Sequence, residues 1–290
     1  MTPPELPEAD GVGTADIFAA QGSDPDLLAE LYDLEHDGQT ADHGFYREMV
    51  RRHRGGVLDL GSGSGRLFRP FVEGGARRIV GLDASAALLR RAERRINDDA
   101  LLREAAAAGR IRMLLGNVGS LPVHGRFALV VAAGLVPHLG GPAEALRMLQ
   151  RAAVHLAANG VLVLDDLGPA SLPPRDLPLS VDWRRRWRGG EAIRRSQIER
   201  QESVDGVRIA YSTITDAVRP DGTIARLPAS YRLWYPSLYG LTQLVEEAGL
   251  VVEARFGSHD LDRLDARSER RIVVARIGGS GAPTGGSVTG

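Results

Sequence analysis

Short apolar runs alternate with segments of helical periodicity along most of the chain. The first clear run, 57–60, is apolar apart from Asp59, and apolar residues recur at helical spacing soon after it. On this pattern we expect further strands at 78–82, 111–115, 127–133 and 160–165, with helices near 64–74, after Ser85 and at 142–158. Alternating strands and helices of this length predict a parallel sheet with right-handed crossovers.

Two more helices are predicted before the first strand, one capped by Ser23-Asp24-Pro25-Asp26 and one at 41–53. Residues 167–235 depart from the alternation. There a proline-rich linker leads into runs of alternating polarity separated by two Asp-Gly pairs, Asp205-Gly206 and Asp221-Gly222, which indicate antiparallel hairpins. A helix at 236–248 and strands at 251–256 and 271–276 then resume the earlier pattern.

The predicted fold is α/β. We expect a Rossmann-like, doubly wound, mostly parallel seven-stranded sheet with helices on both faces and an antiparallel insertion at 167–235. Residues 1–22 and 278–290 have the composition of flexible tails, which leaves one domain at 23–277. A chain of 290 residues that is 43% hydrophobic can bury a full core in such a domain.

Composition excludes several kinds of site. The chain has no cysteine, which removes disulfides, thiolate catalysis and zinc-cysteine sites, and we predict no metal site. The net charge of -1 gives no sign of nucleic-acid binding, so we interpret the basic run 184–186, between Trp183 and Trp187, as a solvated strand or loop with tryptophans packed inward. Without an apolar span of about 20 residues or a signal peptide, a cytoplasmic location is expected.

Glycines at alternate positions follow the first strand. Gly61, Gly63 and Gly65 allow positive φ and close approach of a ligand, and a helix N-terminus lies just beyond them. A phosphate-binding P-loop would need a lysine, and the chain contains none. The dinucleotide-binding spacing G-x-G-x-x-G is met only imperfectly. Asp59 would repel a pyrophosphate. A cofactor with a cationic or amine-bearing end fits this turn better.

The run Asp59-x-Gly61-x-Gly63-x-Gly65 resembles the first motif of the class I S-adenosylmethionine-dependent methyltransferases. The second strand agrees, because Asp83 stands at its end, about 20 residues further on, where such enzymes hold a ribose hydroxyl pair. The resemblance extends from about residue 31 to residue 276. Its later segments are Gly116-Asn117 before Leu121-Pro122, 126–131 and 159–166.

The resemblance implies S-adenosylmethionine as cofactor and S-adenosylhomocysteine as product. It assigns the methionine part to Asp59, the ribose to Asp83 and the adenine to the neighbourhood of Ala84 and Asn117. The cofactor-binding residues predicted in this way are Tyr32, Asp59, Gly61, Gly63, Asp83, Ala84, Asn117, Val118 and Ala133. Relatives often carry Asp at the position of Asn117, and many carry an acid at the position of Ala128, where this chain has no candidate catalytic acid.

Three residues are candidates for catalysis. His138 follows the fourth strand, near the expected methyl position, and is either a general base or a residue that shapes the pocket. Asp165, with Asp166 beside it, could hold a cationic amine. Tyr46 either closes over the site or packs in the core. Trp234-Tyr235-Pro236 could line the acceptor pocket or anchor the insertion.

The predicted reaction is in-line displacement that moves a methyl group to an amine of a small molecule or peptide. The layout is similar to natural-product N-methyltransferases, including enzymes that dimethylate amino sugars. O-methylation with His138 as base, an NAD-dependent oxidoreductase and a non-methylating cofactor-binding protein remain as alternatives. We expect the insertion to cover the acceptor or to form a homodimer, and deletion of 183–232 to leave cofactor binding largely intact.

Overall fold

A computed structural model describes residues 24–278, and within them a seven-stranded sheet is the centre of the molecule. Its strand order is β10-β11-β5-β4-β1-β2-β3. The strands are β1 (Gly56–Leu60), β2 (Arg78–Asp83), β3 (Ile111–Leu115), β4 (Phe127–Ala133), β5 (Leu156–Leu167), β10 (Leu250–Phe256) and β11 (Arg270–Ile277). β11 pairs antiparallel with both β5 and β10, and the other pairs are parallel. The predicted doubly wound, mostly parallel sheet is confirmed.

Seven α-helices surround this sheet within the described residues. They are α1 (Pro25–His36), α2 (His43–Arg52), α3 (Phe68–Glu73), α4 (Ala86–Asp98), α5 (Ala100–Ala107), α6 (Pro142–His155) and α7 (Leu238–Glu247). One apolar core contains Leu149 of α6 and Val245 of α7, and the other contains Tyr46 of α2 and Phe71 of α3. The strand residues alternate between these two cores because successive side chains of a strand point to opposite faces.

The predicted helix at 64–74 is shorter than expected. Gly61, Gly63 and Gly65 have φ values of 69°, 55° and 73°, so the chain keeps turning after β1 and α3 begins only at Phe68. A Cβ at Gly65 would lie 2.7 Å from the Phe68 ring, which shows how closely the turn packs on the helix start. The glycine-rich stretch is therefore a longer turn than its spacing indicated.

Two other helix predictions also need correction. The helix predicted at 142–158 ends at His155, and Leu156 already pairs with Phe127 as the first residue of β5. The pattern also failed to indicate α5, although Asp99 caps it by accepting from the amides of Leu101 and Leu102. That cap comes directly after α4, so the sequence reads there as one helical stretch.

The predicted antiparallel insertion is confirmed as a second sheet of four strands in the order β6-β7-β8-β9. These strands are β6 (Leu177–Trp187), β7 (Gly190–Ser203), β8 (Gly206–Val218) and β9 (Ile224–Pro236). The two Asp-Gly pairs lie at the β7-β8 and β8-β9 connections, as expected. One face of this sheet packs against α1, through Trp187, Ala192 and Leu227 among others.

The predicted tails at 1–22 and 278–290 lie outside the described residues, apart from Gly278. Within 24–278, no helix is long and apolar enough to cross a membrane.

Candidate functional site

The glycine turn and the end of β2 are joined by direct hydrogen bonds. The amides of Gly61 and Ser62 donate to the Leu82 carbonyl at 2.8 and 3.0 Å. The Gly63 amide donates to Asp83 Oδ2 at 2.7 Å, and the Ser85 amide donates to Asp83 Oδ1 at 2.8 Å. These bonds hold the Asp83 carboxylate beside the turn, at the carboxyl ends of the parallel strands where such sheets bind ligands.

Two adjoining clefts open at this edge, and Tyr32, Gly61, Gly63 and Ala133 line both. The first cleft is also lined by three predicted adenosine-binding residues, Asp83, Ala84 and Val118, and by the catalytic candidate His138. The second cleft is also lined by Asp59, His36 and Arg66. Eight of the nine predicted cofactor-binding residues therefore lie around one continuous space.

Asn117 is the ninth, and it does not line either cleft, although Gly116 and Val118 do. Its Oδ1 accepts from the Gly119 amide at 2.6 Å, and its carbonyl accepts from the Leu121 amide at 3.0 Å. Asn117 thus shapes the turn that presents its two neighbours to the cleft.

The glycine turn fits the aminoacyl end of S-adenosylmethionine. Asp59 is 2% exposed, and its Oδ2 has no hydrogen-bond partner among the described residues. Burial raises the pKa of Asp59 to about 8, while nearby Arg66 lowers it and Asp83 raises it further. A buried carboxyl group without a partner is stabilised by a cationic ligand. Asp59 and the adjacent clefts would therefore accept an ammonium group.

Backbone geometry supports the same fit. A Cβ built at Gly63 or Gly134 meets no atom within 4 Å, although both have positive φ, because both face open space. At Gly61 a Cβ would lie 3.0 Å from Leu135 Cδ1. Gly63 lines both clefts, so a side chain there would project into them, and glycine keeps this space open.

Helix α1 covers both clefts with Tyr32. The Tyr32 ring stacks on His36, with ring centroids 4.1 Å apart, and both residues are partly buried. Burial lowers the pKa of His36 and raises the pKa of Tyr32 to about 12, so both are neutral near pH 7. The sequence pattern indicated Tyr32 but not His36, which follows one helical turn later on the same face.

His138 lies in a short 3₁₀ turn, Val136–His138, directly after β4. Its side chain lines the first cleft and makes no hydrogen bond to another described residue. Burial lowers the pKa of His138 to about 4, so its imidazole is neutral at physiological pH. It is positioned to accept a proton but is a weak base.

Asp165 stands at the end of β5, but its carboxylate faces a buried network. Oδ1 accepts from Nε of Arg270 at 3.0 Å and also from its Nη2. Oδ2 accepts from the Tyr46 hydroxyl at 2.7 Å and contacts Nε2 of His259 at 2.8 Å. A carboxylate has about four acceptor positions, so this arrangement leaves none for an amine.

These contacts change two of the catalytic predictions. Tyr46 is fully buried and lines neither cleft, because the apolar face of α2 packs into the core. Burial raises the pKa of Asp165, but the bond from His259 and the charge of Arg270 outweigh it, and the pKa is lowered overall. We therefore assign Tyr46 and Asp165 to positioning the end of β5. His259 and Arg270 were missed because they lie 94 and 105 positions from Asp165.

Asp166 points to the opposite face and differs from its neighbour. Both of its carboxylate oxygens are buried without a hydrogen-bond partner among the described residues. Burial raises the pKa of Asp166 to about 7 although Arg271, its partner across β11, lowers it. Tyr235 is buried nearby, which supports the anchoring interpretation of the 234–236 segment.

One group of described residues has the composition of a metal site. Ligand atoms of Asp42, Asp165 and His259 lie within 4.8 Å of one another. Arg66 binds Asp42 through two hydrogen bonds of 2.7 and 2.5 Å, and Arg270 binds Asp165. Because two guanidinium groups already neutralise the carboxylates, this group is an ion-pair network.

Comparisons with known proteins agree with this geometry. Residues 57–160, which include the glycine turn, Asp83 and His138, match a family model described as a methyltransferase domain. A relative from Streptomyces fradiae, dTDP-3-amino-3,6-dideoxy-alpha-D-glucopyranose N,N-dimethyltransferase, is 29% identical over 237 residues. The match covers 78% of this chain and 84% of the relative.

Two solved structures show the same fold. The CcbJ methyltransferase from Streptomyces caelestis superposes with a TM-score of 0.71 at 21% identity, covering 87% of this chain and 96% of its own. The sugar N-methyltransferase KedS8 from a Streptoalloteichus species gives 0.64 at 20% identity, covering 86% and 93%. Residues 57–160 therefore carry a methyltransferase domain, and the sheet order around it is the one found in methyltransferases of similar fold.

Proposed function

We propose that this enzyme transfers a methyl group from S-adenosylmethionine to an amino group of a small molecule, and that the acceptor is an amino sugar or a similar natural-product intermediate. The Streptomyces fradiae relative acts on a sugar amine, as its name states, and its match extends over most of both chains. The sulfonium cofactor supplies the activated methyl group when bound. The chain's own residues bind and orient the two reactants, which is where most of the acceleration of such a displacement arises.

In this proposal the nine predicted cofactor residues divide into two groups. Asp59, Gly61 and Gly63 hold the methionine end, and Tyr32 covers it. Asp83 holds the ribose, and Ala84, Val118 and the turn at Asn117 surround the adenine. Ala133 is assigned to neither group and lines both clefts. Support comes from the joint lining of the clefts and from the hydrogen bonds that orient Asp83.

The lowered pKa of His138 favours nitrogen over oxygen as the methylated atom. A base whose conjugate acid has a pKa of about 4 is poorly matched to the removal of a proton from an alcohol or phenol. An amine that enters neutral needs no base before attack, and the proton it loses afterwards can pass through a neutral imidazole to water. We therefore place His138 beside the reacting amine as an acceptor of that proton. Asp165, fully occupied by other donors, is left out of the chemistry.

A homodimer formed through the insertion stays a proposal. β6 is an edge strand of the second sheet within 24–278, and its apolar residues Leu177, Leu179 and Val181 are 37%, 51% and 49% exposed. An exposed apolar edge strand is available for pairing with another strand. The cytoplasmic location and the lack of a nucleic-acid partner likewise remain predictions.

The proposal is tested by screening amino sugars, other amines, phenols and sugar alcohols for formation of S-adenosylhomocysteine. We expect turnover with amines. The variant His138→Ala should lower this turnover by less than the roughly 100-fold loss expected on removal of an essential base. Turnover of hydroxyl compounds alone, abolished in His138→Ala, would replace this proposal by O-methylation with His138 as base.

A further inference from the structure

Helix α1, which covers the cofactor clefts, is held from two sides by ion pairs. On one side it meets α4, where Arg90 binds Asp26 at 2.9 Å and Arg95 binds Asp37 at 2.5 Å. Arg95 also donates from Nε to the Ser64 carbonyl at 2.8 Å, which links α1 to the glycine turn. This side belongs to the methyltransferase domain itself.

The other side of α1 meets the insertion. Glu30 accepts from Nε1 of Trp187 and from Nε of Arg188, each at 2.8 Å. Burial raises the pKa of Glu30, but these bonds lower it overall. Arg185 donates to the Glu35 carbonyl at 3.2 Å, near the end of the helix. The insertion thus contacts α1 along most of its length.

Arg194 is the most enclosed arginine of this contact. Its side chain is 14% exposed, it forms an ion pair with Glu35 of α1, and it lies 3.4 Å from Asp182 within the insertion. Its guanidinium also stacks over the Tyr211 ring at 5.2 Å. Because Asp182 and Tyr211 fix it within the sheet, Arg194 transmits the position of the insertion to Glu35.

Tyr32 and His36 lie on the stretch of α1 that these arginines hold. Tyr32 packs against the same apolar cluster as Trp183 and Tyr231 of the insertion, and it lines both cofactor clefts. Withdrawal of α1 from the insertion would therefore uncover the bound cofactor. The insertion itself lines neither cleft, but it packs against the helix that does. Our expectation that it covers the acceptor or forms a homodimer does not include this contact.

We propose that the insertion retains the bound cofactor, with Arg194 and Arg188 as positioning residues that grip Glu35 and Glu30 and keep Tyr32 and His36 over the clefts. The ligand class is the S-adenosyl compounds already assigned to the clefts. The inference does not depend on the identity of the methyl acceptor, so it can fail while the proposed N-methylation stands, and the reverse also holds.

The test is the dissociation rate of S-adenosylhomocysteine from the full chain, followed by release of tritiated ligand into an excess of unlabelled ligand. Glu35→Gln and Arg194→Gln should each accelerate release about 10-fold or more, the effect of one charge-assisted hydrogen bond. The double variant should release the ligand no faster than the faster single variant, because both changes remove the same contact. Arg194→Lys should fall between wild type and Arg194→Gln, since lysine keeps the charge but loses the planar fork.

The matched control is Arg184→Gln. Arg184 lies on β6 with 61% of its side chain exposed and approaches only Glu191, at 4.0 Å, within the insertion. The Arg184→Gln variant should release S-adenosylhomocysteine at the same rate as the wild type. If Arg194→Gln does not fold, the release rate of Glu35→Gln is the deciding measurement, because glutamine keeps the size of the side chain and leaves the contacts within the insertion intact. Folded Glu35→Gln protein with a wild-type release rate, or additive effects in the double variant, would overturn the proposal.

Discussion

The Gly63 amide donates a 2.7 Å hydrogen bond to Asp83 Oδ2, so the glycine turn after β1 and the acid at the end of β2 form one unit. The bond places a carboxylate and a turn with open positive-φ glycines at the same edge of the sheet. Twenty positions of sequence separate the two residues. The hydrogen bond therefore joins the two parts of the methyltransferase pattern at one edge of the sheet.

Replacement of Asp83 by Ala should weaken S-adenosylhomocysteine binding by about 10- to 100-fold. The physical reason is the loss of one charge-assisted hydrogen bond to the ribose, worth about 1.5 to 3 kcal/mol. Isothermal titration calorimetry measures the change, with Glu93→Ala, an exposed acid of α4, as control. Unchanged affinity in Asp83→Ala, or micromolar binding of NAD to the wild type, would contradict the cofactor assignment.

Cofactor binding should be linked to ionisation of Asp59. The pKa of this buried carboxyl is raised to about 8, and a cationic amino acid group beside it favours the ionised form. Binding of S-adenosylhomocysteine should therefore release protons below about pH 8, and its affinity should rise with pH toward that value. Calorimetry in two buffers of different ionisation enthalpy measures the release. Asp59→Asn should abolish it, whereas equal proton release by wild type and variant would exclude Asp59.

The Tyr46 hydroxyl should matter for stability more than for catalysis. Tyr46→Phe removes a buried hydrogen bond to a charged group and should lower the free energy of unfolding by about 1.5 to 3 kcal/mol. Urea denaturation measures this, and Tyr239→Phe, with a side chain that is 73% exposed, is the control. A loss of turnover far beyond the loss of folded protein would restore Tyr46 as a catalytic residue.

Asp166 should make the protein less stable as pH rises. Its pKa in the folded state is about 7, against 3.8 ordinarily, so the folded state binds the proton more tightly. The stability that this gives is complete below about pH 4 and is lost as pH rises through about 7. Asp166→Asn should remove this part of the pH dependence of stability. At alkaline pH its free energy of unfolding should exceed that of the wild type by at most about 4 kcal/mol.

Thermal unfolding of both proteins across this pH range checks the Asp166 prediction. Asp98→Asn, a change at an exposed position of α4, serves as control. Parallel pH profiles of wild type and Asp166→Asn would show that Asp166 keeps an ordinary pKa through its pairing with Arg271.

Local spacing was sufficient to predict the sheet and the insertion, whereas the resemblance to methyltransferases supplied the predicted cofactor-binding residues. Asp59, Gly61 and Gly63 are neighbours in sequence, and Asp83 ends the next strand, so strand periodicity alone brings them to one edge. The end of α6 at His155 escaped prediction because Leu156 continues an apolar pattern that suits a helix and a strand equally. The local pattern therefore does not decide between helix and strand at Leu156, and its pairing with Phe127 places it in β5.

Contacts between distant segments could not be predicted in this way. Tyr46 meets Asp165 across 119 positions, and Glu35 meets Arg194 across 159. Nothing in the local pattern around either acid shows which arginine or tyrosine will reach it. The same limit explains why Asp165, at a strand end like Asp83, was assigned to the acceptor although its carboxylate is fully bonded in the core.

Transfer of a deuterated methyl group is the most direct test of N-methylation by this chain. The purified chain is incubated with methyl-deuterated S-adenosylmethionine and either an amino sugar or the matching sugar with a hydroxyl in place of the amine, and the products are analysed by tandem mass spectrometry. We expect label on the nitrogen of the amino sugar, an equal amount of S-adenosylhomocysteine and no label on the hydroxyl analogue. Label on oxygen alone, or bound cofactor without transfer to any acceptor amine, would contradict it.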